Sequence, residues 1–151
     1  MYQTNHKKII ATIEARMTSS RLPGKVLLPI AGTPALEMLI ERLKRSLYLD
    51  DICVATTTNR DDDPIAELTK KLGVGCFRGS ESDVLGRVLG AARERNADII
   101  VEITGDCPFV DHRLVDRGIE EFCTHAVDYA SNTITATYAN GFDVQVFPTS
   151  V

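Results

Sequence analysis

Positive charge is in short supply. Lys and Arg number 17 against 21 Asp and Glu, for a formal net charge of −4. The chain as a whole therefore does not attract nucleic acid, and any anion must be held by a local cluster of cations. Long apolar runs are also missing: none approaches the ~20 residues of a membrane span. The opening Met-Tyr-Gln-Thr-Asn-His-Lys-Lys lacks the apolar core of a secretory signal. Cys53, Cys76, Cys107 and Cys123 form no Cys-x-x-Cys pair and have no His at zinc-ligand spacing. They read as small buried residues in a reducing compartment, so the expected location is the cytoplasm. His6, His112 and His125 show no pairing with a Ser or Cys nucleophile, which leaves a hydrolytic triad unsupported. Walker A and Gly-x-Gly-x-x-Gly sequences are absent, as are internal repeats, low-complexity tracts and linkers.

What is present fits one domain over residues 1–151. Apolar residues make up 44% and charged residues 25%, enough for a core and outside the range of disordered chains. Residues 7–13 read as a buried strand, because Ile9, Ile10, Ala11 and Ile13 are too continuous for a half-exposed one. Pro34 can open a helix whose buried face carries Leu36, Leu39, Ile40, Leu43 and Leu47, with Glu41 and Arg45 paired outside. Strands follow at 51–56, 74–77 and 98–103. A helix starting at Asp61-Asp62-Asp63-Pro64 buries Ile65, Leu68 and Leu72, with Gly73 at its end. The helix at 83–95 buries Val84, Leu85, Val88, Leu89 and Ala92. Gly86 and Gly90 weaken it by about 1 kcal/mol each unless something packs closely on them. The helix at 111–123 buries Leu114, Val115, Ile119 and Phe122, and strands at 127–132 and 142–147 finish the chain. This alternation predicts a three-layer α/β fold, a mainly parallel sheet with helices on both faces. Ligands of such sheets gather beyond the carboxyl ends of the strands, where the polar loops lie.

The loop after the first strand holds Arg16, Arg21 and Lys25 among Thr18, Ser19, Ser20 and Gly24. Arg16 and Lys25 stand nine residues apart in sequence, a spacing suited to gripping a triphosphate from two sides, with backbone N–H groups near Ser19, Ser20 and Gly24 as an anion nest. A solvated basic loop is the competing reading. Thr104-Gly105-Asp106-Cys107-Pro108 places a carboxylate after a buried strand, suited either to Mg²⁺ or to capping a turn. Thr56-Thr57-Thr58-Asn59-Arg60-Asp61 and Arg78-Gly79-Ser80-Glu81 suit approach to a base or ribose, or ordinary capping. Tyr138-Ala139-Asn140-Gly141-Phe142-Asp143 joins two strands, and its Asn-Gly is a turn signal.

Together these motifs resemble a family. Ala15-Arg16-Met17-Thr18-Ser19-Ser20-Arg21-Leu22-Pro23-Gly24-Lys25 is similar to the start of cytidylyltransferases that activate acidic sugars as CMP conjugates. The branch named for a spore coat polysaccharide biosynthesis protein is the most similar one. Val54 to Thr58, Phe77 to Leu85, Ile103 to Pro108, Asp128 to Asn132 and Gly141 to Val144 follow its pattern in order, so the resemblance spans residues 8–147. It implies a nucleotidyltransferase-type α/β fold and transfer of CMP from CTP to a sugar hydroxyl with release of pyrophosphate. By the same resemblance, Arg16 and Lys25 hold the phosphates, Arg21 supports that loop, and Ala15, Ser19 and Ser20 belong to it. Asp106 binds Mg²⁺. Thr56, Thr57, Thr58, Arg78, Gly79 and Ser80 flank cytosine and ribose, while Tyr138, Asn140 and Asp143 face the sugar acceptor.

Two departures stand out. Family members continue with further elements, a dimerising segment and commonly a second metal-binding carboxylate, whereas this sequence stops at Val151. The expectation is a domain lacking its C-terminal part, with an exposed sheet edge or apolar surface; a homodimer is compatible with the family. Gln145 also stands where the branch often has Glu. A glycosyltransferase using a nucleotide-sugar is the alternative enzyme, although no Asp-x-Asp pair sits at a strand end. A nucleotide-binding protein without turnover is the non-enzymatic one.

Overall fold

The computed structural model describes residues 7–135 and 137–150; His6 lies outside them. Strand β1 (Ile9–Glu14) is followed by a hairpin of β2 (Pro29–Ile30) and β3 (Thr33–Pro34), then α1 (Ala35–Leu43) and β4 (Asp51–Thr57). Next come α2 (Asp63–Leu72), β5 (Gly75–Gly79), α3 (Val84–Glu94), β6 (Ile99–Thr104) and α4 (His112–Thr124). The short β7 (Ala130–Ser131) and β8 (Gln145–Pro148) complete the order. The main sheet runs β5-β4-β1-β6-β8-β7. Its first four strands are parallel, with Ile10 opposite Asp51 and Ile100. β8 lies antiparallel to β6, with Val101 opposite Val146.

Alternation along the strands divides the core between two faces. Ala11, Ile13, Val54, Val101 and Ile103 pack with Leu36, Leu39, Ile40 and Leu43 of α1, Ile65 of α2, and Val115 and Ile119 of α4. Ile10, Cys53, Ala55 and Ile100 pack on the other side with Val88, Ala91 and Ala92 of α3. Helices therefore cover both faces of a mainly parallel sheet, as the pattern predicts. Among the described residues no helix is long and apolar enough to cross a membrane.

Several local expectations are corrected. Leu47 is 83% exposed instead of continuing the α1 face. The helix ends at Leu43 because Asp116 of α4 accepts the Ser46 hydroxyl and the Leu47 N–H, drawing the chain off the helical path. Glu41 pairs with Lys44 instead of Arg45. Val84 and Leu85 are exposed in the first turn of α3. The strand predicted at 127–132 shrinks to two residues, and the one at 142–147 to Gln145–Pro148. Of the four free cysteines Cys53 is buried, Cys76 and Cys107 are half-buried, and Cys123 is exposed. Burial pushes the Cys53 thiol up to about 11.

Candidate active site

The carboxyl ends of β1, β4, β5 and β6 share one edge of the sheet because these strands are parallel. At that edge β1 and β6 approach too closely for a side chain between them. A Cβ on Gly105 would lie 2.6 Å from the Glu14 carbonyl oxygen, to which the Gly105 N–H donates at 2.8 Å. Only glycine fits there, and it sets Asp106 beside the loop that leaves β1.

That loop is folded by its own backbone and pinned by one buried carboxylate. The Met17 carbonyl accepts the N–H groups of Ser19 at 2.9 Å and Gly24 at 2.8 Å. The Met17 N–H donates to Asp62 at 2.6 Å. Asp62, fully buried, also accepts the Thr57 N–H and hydroxyl. The side chain of Val26 is buried next to Lys25 and anchors the end of the loop. The Lys25 ammonium forms an ion pair with Asp106 and holds its carboxyl below the usual range.

A second carboxylate gathers the neighbouring loops. Glu81 accepts from the Thr18 hydroxyl at 2.7 Å and the Asn59 amide at 2.7 Å, and pairs with Arg16 at 3.3 Å. These hydrogen bonds lower its pKa. Arg78 donates to the carbonyls of Thr57 and Asn59 and pairs with Asp63 at 2.6 Å. Three loops thus lock to one another before any ligand arrives, a preorganisation that reduces the ordering cost of binding.

The result is an open cleft of about 240 Å³. Ala15, Arg16, Ser19, Ser20, Arg21, Lys25 and Asp106 line it together. The other expected nucleotide residues do not reach it. Thr56 and Thr57 are fully buried, Thr57 being committed to Asp62. Thr58 is exposed, with its N–H on the Gly79 carbonyl. Arg78 serves as a brace between loops, and Gly79 and Ser80 lie beneath and beside Arg87. Tyr138 lines a separate groove against α4, where its hydroxyl accepts from Arg117 at 3.4 Å. Asn140 and Asp143 are exposed. Their loop does approach the Asp106 turn, since a Cβ on Gly141 would lie 3.9 Å from the Cys107 sulfur. Gln145 accepts from the Tyr129 hydroxyl at 2.7 Å.

Thr104 and Gly105 of the Asp106 motif line the cleft as well, together with Glu14, Val84 and Arg87, to which sequence reasoning gave no role at the site. Asp62 and Glu81 were missed as organisers. The only advance signal for Asp62 was its place just after a strand, which reads equally well as a helix start.

Chemically, Arg16, Arg21 and Lys25 with the nearby serines suit a polyphosphate. Among the described residues no group of three or more His, Cys, Asp and Glu converges on a metal position. Asp106 offers a hard oxygen at the cleft edge, which fits Mg²⁺ when phosphate oxygens and water complete its shell. The Asp61-Asp62-Asp63 run offers no metal pair, since Asp62 is buried in hydrogen bonds and Asp63 is held by Arg78.

Known proteins resemble the chain in sequence and in fold. The family model described as cytidylyltransferase matches residues 10–140. The spore coat polysaccharide biosynthesis protein SpsF of Bacillus subtilis is 37% identical over 125 residues, covering 80% of this chain and 52% of that protein. A solved cytidylyltransferase from Leptospira borgpetersenii superposes with a TM-score of 0.91 at 41% identity, covering 96% of this chain and 62% of that one. A CMP:2-keto-3-deoxy-manno-octonic acid synthetase solved with CTP gives a TM-score of 0.72 at 28% identity, covering 83% and 52%. The chain spans about half the length of the curated relatives it matches. Its fold, the cationic loop after β1 and the match over residues 10–140 lead to one conclusion: the chain belongs to the cytidylyltransferase family.

Proposed function

We propose that this chain is the nucleotide-binding part of an enzyme that transfers CMP from CTP to an acidic sugar, acting in the cytoplasm in surface or spore-coat polysaccharide synthesis. One observation carries the reading: Arg16, Lys25 and Asp106 line a single preorganised cleft at the carboxyl edge of the sheet. A relative of the same fold was solved with CTP, and relatives at least 35% identical over the matched stretch include a spore-coat polysaccharide protein and 3-deoxy-manno-octulosonate cytidylyltransferases.

In the proposed reaction a sugar hydroxyl attacks the α-phosphorus of CTP. The bond from that phosphorus to the bridging oxygen of the β-phosphate breaks, pyrophosphate leaves, and the hydroxyl proton passes to solvent. Lys25 exchanges its contact with Asp106 for a phosphate oxygen, while Arg16 and Arg21 bear on the same chain of charges. Mg²⁺, held by the released Asp106 and by phosphate, would offset charge on the α-phosphate and the leaving group. The fixed loops supply position, which dominates such transfers. Tyr138, Asn140 and Asp143 stand on the acceptor side by family pattern, with their loop next to the Asp106 turn.

The test is pyrophosphate release from CTP in the presence of Mg²⁺ and a panel of acidic sugars. Release that depends on one sugar, and that Asp106→Asn removes without loss of fold, is expected. Full turnover by Asp106→Asn contradicts the metal assignment. CTP binding with no release under any acceptor favours a nucleotide-binding protein instead.

A further inference from the structure

Arg87 is a charged side chain buried beside the cleft without a full set of partners. It is 3% exposed, yet it lines the same cleft as Arg16 and Lys25. Its stem crosses Gly79, where a Cβ would come within 2.9 Å of the Arg87 Cγ. One terminal nitrogen, Nη1, donates to the carbonyls of Ser80 and Glu81. Nε has no partner, and Nη2 makes no hydrogen bond among the described residues. A buried guanidinium left short of acceptors carries a desolvation cost that a ligand acceptor would relieve.

Glu14 complements it. Glu14 lines the cleft with Arg87, and its carboxylate, near that of Glu102, has no ion pair or hydrogen bond among the described residues. A free carboxylate repels phosphate, so Glu14 belongs beside an uncharged, donor-bearing part of the nucleotide. The phosphate end is then the one formed by Arg16, Ser19, Ser20, Arg21 and Lys25. Glu14 only accepts and Arg87 only donates. Cytosine presents the inverse pattern on one edge: the N4 amino group donates, while N3 and O2 accept. Uracil instead presents an accepting O4 and a donating N3–H.

We propose that Glu14 and Arg87 read the cytosine ring, the carboxylate accepting from N4 and the guanidinium donating to the N3 and O2 side, and that this pair sets the preference for CTP over UTP. The assignment rests on the CTP reading above. A positive arginine over the phosphates alone would not select a base, and a carboxylate alone would not offset its own repulsion of the nucleotide.

The experiment measures CTP, UTP and inorganic tripolyphosphate affinity of the chain and of Glu14→Gln and Arg87→Lys. Glu14→Gln should lower the CTP-to-UTP preference roughly tenfold or more, since its amide can turn an N–H toward O4 of uracil. Tripolyphosphate, which lacks a base, should bind that variant within about threefold of the original, because the charge change is screened at working salt. Arg87→Lys should weaken CTP roughly tenfold through loss of the planar fork, with the far-ultraviolet spectrum unchanged. An unchanged CTP-to-UTP ratio in Glu14→Gln, or equal losses of both nucleotides as a ribose contact would give, overturns the base assignment and leaves CTP binding standing. Failure of the unaltered chain to bind CTP overturns the nucleotide reading and this assignment with it.

Discussion

The buried carboxylate of Asp62 accepts the Met17 N–H at 2.6 Å and so fastens the cationic loop to the end of β4. The same carboxylate accepts from Thr57. One side chain therefore couples the loop after β1 to the loop after β4, beside Glu81, which accepts from Thr18 of the first and Asn59 of the second.

Asp62→Ala leaves the Met17 and Thr57 donors unpaired. The loss should be about 2–4 kcal/mol, the range for breaking a buried, charge-assisted network. Urea unfolding measures it. CTP affinity should fall as well, because the loop loses its preset shape. An unchanged unfolding midpoint contradicts the anchoring role.

Gly90 faces the ring of Phe77, and a Cβ there would lie 2.3 Å from its Cζ. Alanine favours a helix interior over glycine by about 1 kcal/mol, but overpacking costs about 1–3 kcal/mol. Gly90→Ala should therefore lower the unfolding midpoint. A stabilised variant means the contact yields more easily than the geometry implies.

Glu102 lies partly buried on β6 near Glu14, and burial followed by the Glu14 charge raises its pKa above the ordinary 4.5. A carboxyl with a raised folded pKa costs no stability below 4.5. Its penalty grows as pH rises toward the folded value and is complete above it. Glu102→Gln should accordingly raise the unfolding midpoint at pH 7, with the gain vanishing below pH 4.5. A gain that persists at low pH points to packing instead of charge.

The Lys25–Asp106 pair is partly exposed, with side-chain exposures of 28% and 42%. Such pairs add roughly 1 kcal/mol or less to stability. Lys25→Ala should thus leave folding nearly unchanged while weakening CTP roughly ten- to a hundredfold, the scale of one charge-assisted phosphate contact. Equal effects on folding and binding contradict a role at the ligand.

The α/β alternation, the mainly parallel sheet and the loop after β1 were legible because continuous apolar strands and periodic helices are local signals. Gly86 and Gly90 were read as tolerable only under close packing, and Phe77 and the Asp83 carboxylate supply it. Tertiary choices were not legible. Leu47 fits the α1 period but is turned out when Asp116 captures the chain before it. Leu85 also fits a helix period, yet the first turn of α3 stands exposed at the sheet edge. Asp62 and Arg87 look like solvated helix charges in sequence. The burial of Asp62 depends on the Met17 N–H from a distant loop, and that of Arg87 on its side chain folding back over the Ser80 and Glu81 carbonyls, which no periodic pattern encodes. Thr56 and Thr57 looked like ligand hydroxyls for the converse reason: they end a strand that runs to Thr57, one residue past the expected end, and both lie under the surface.

Titration of the chain with CTP in the presence of Mg²⁺, compared with the Arg16→Ala and Lys25→Ala double variant, tests the phosphate clamp most directly. Saturable one-to-one binding, weakened roughly a hundredfold or more in a double variant that remains folded, is the predicted result. No binding by the unaltered chain, or equal binding by the folded double variant, would contradict it.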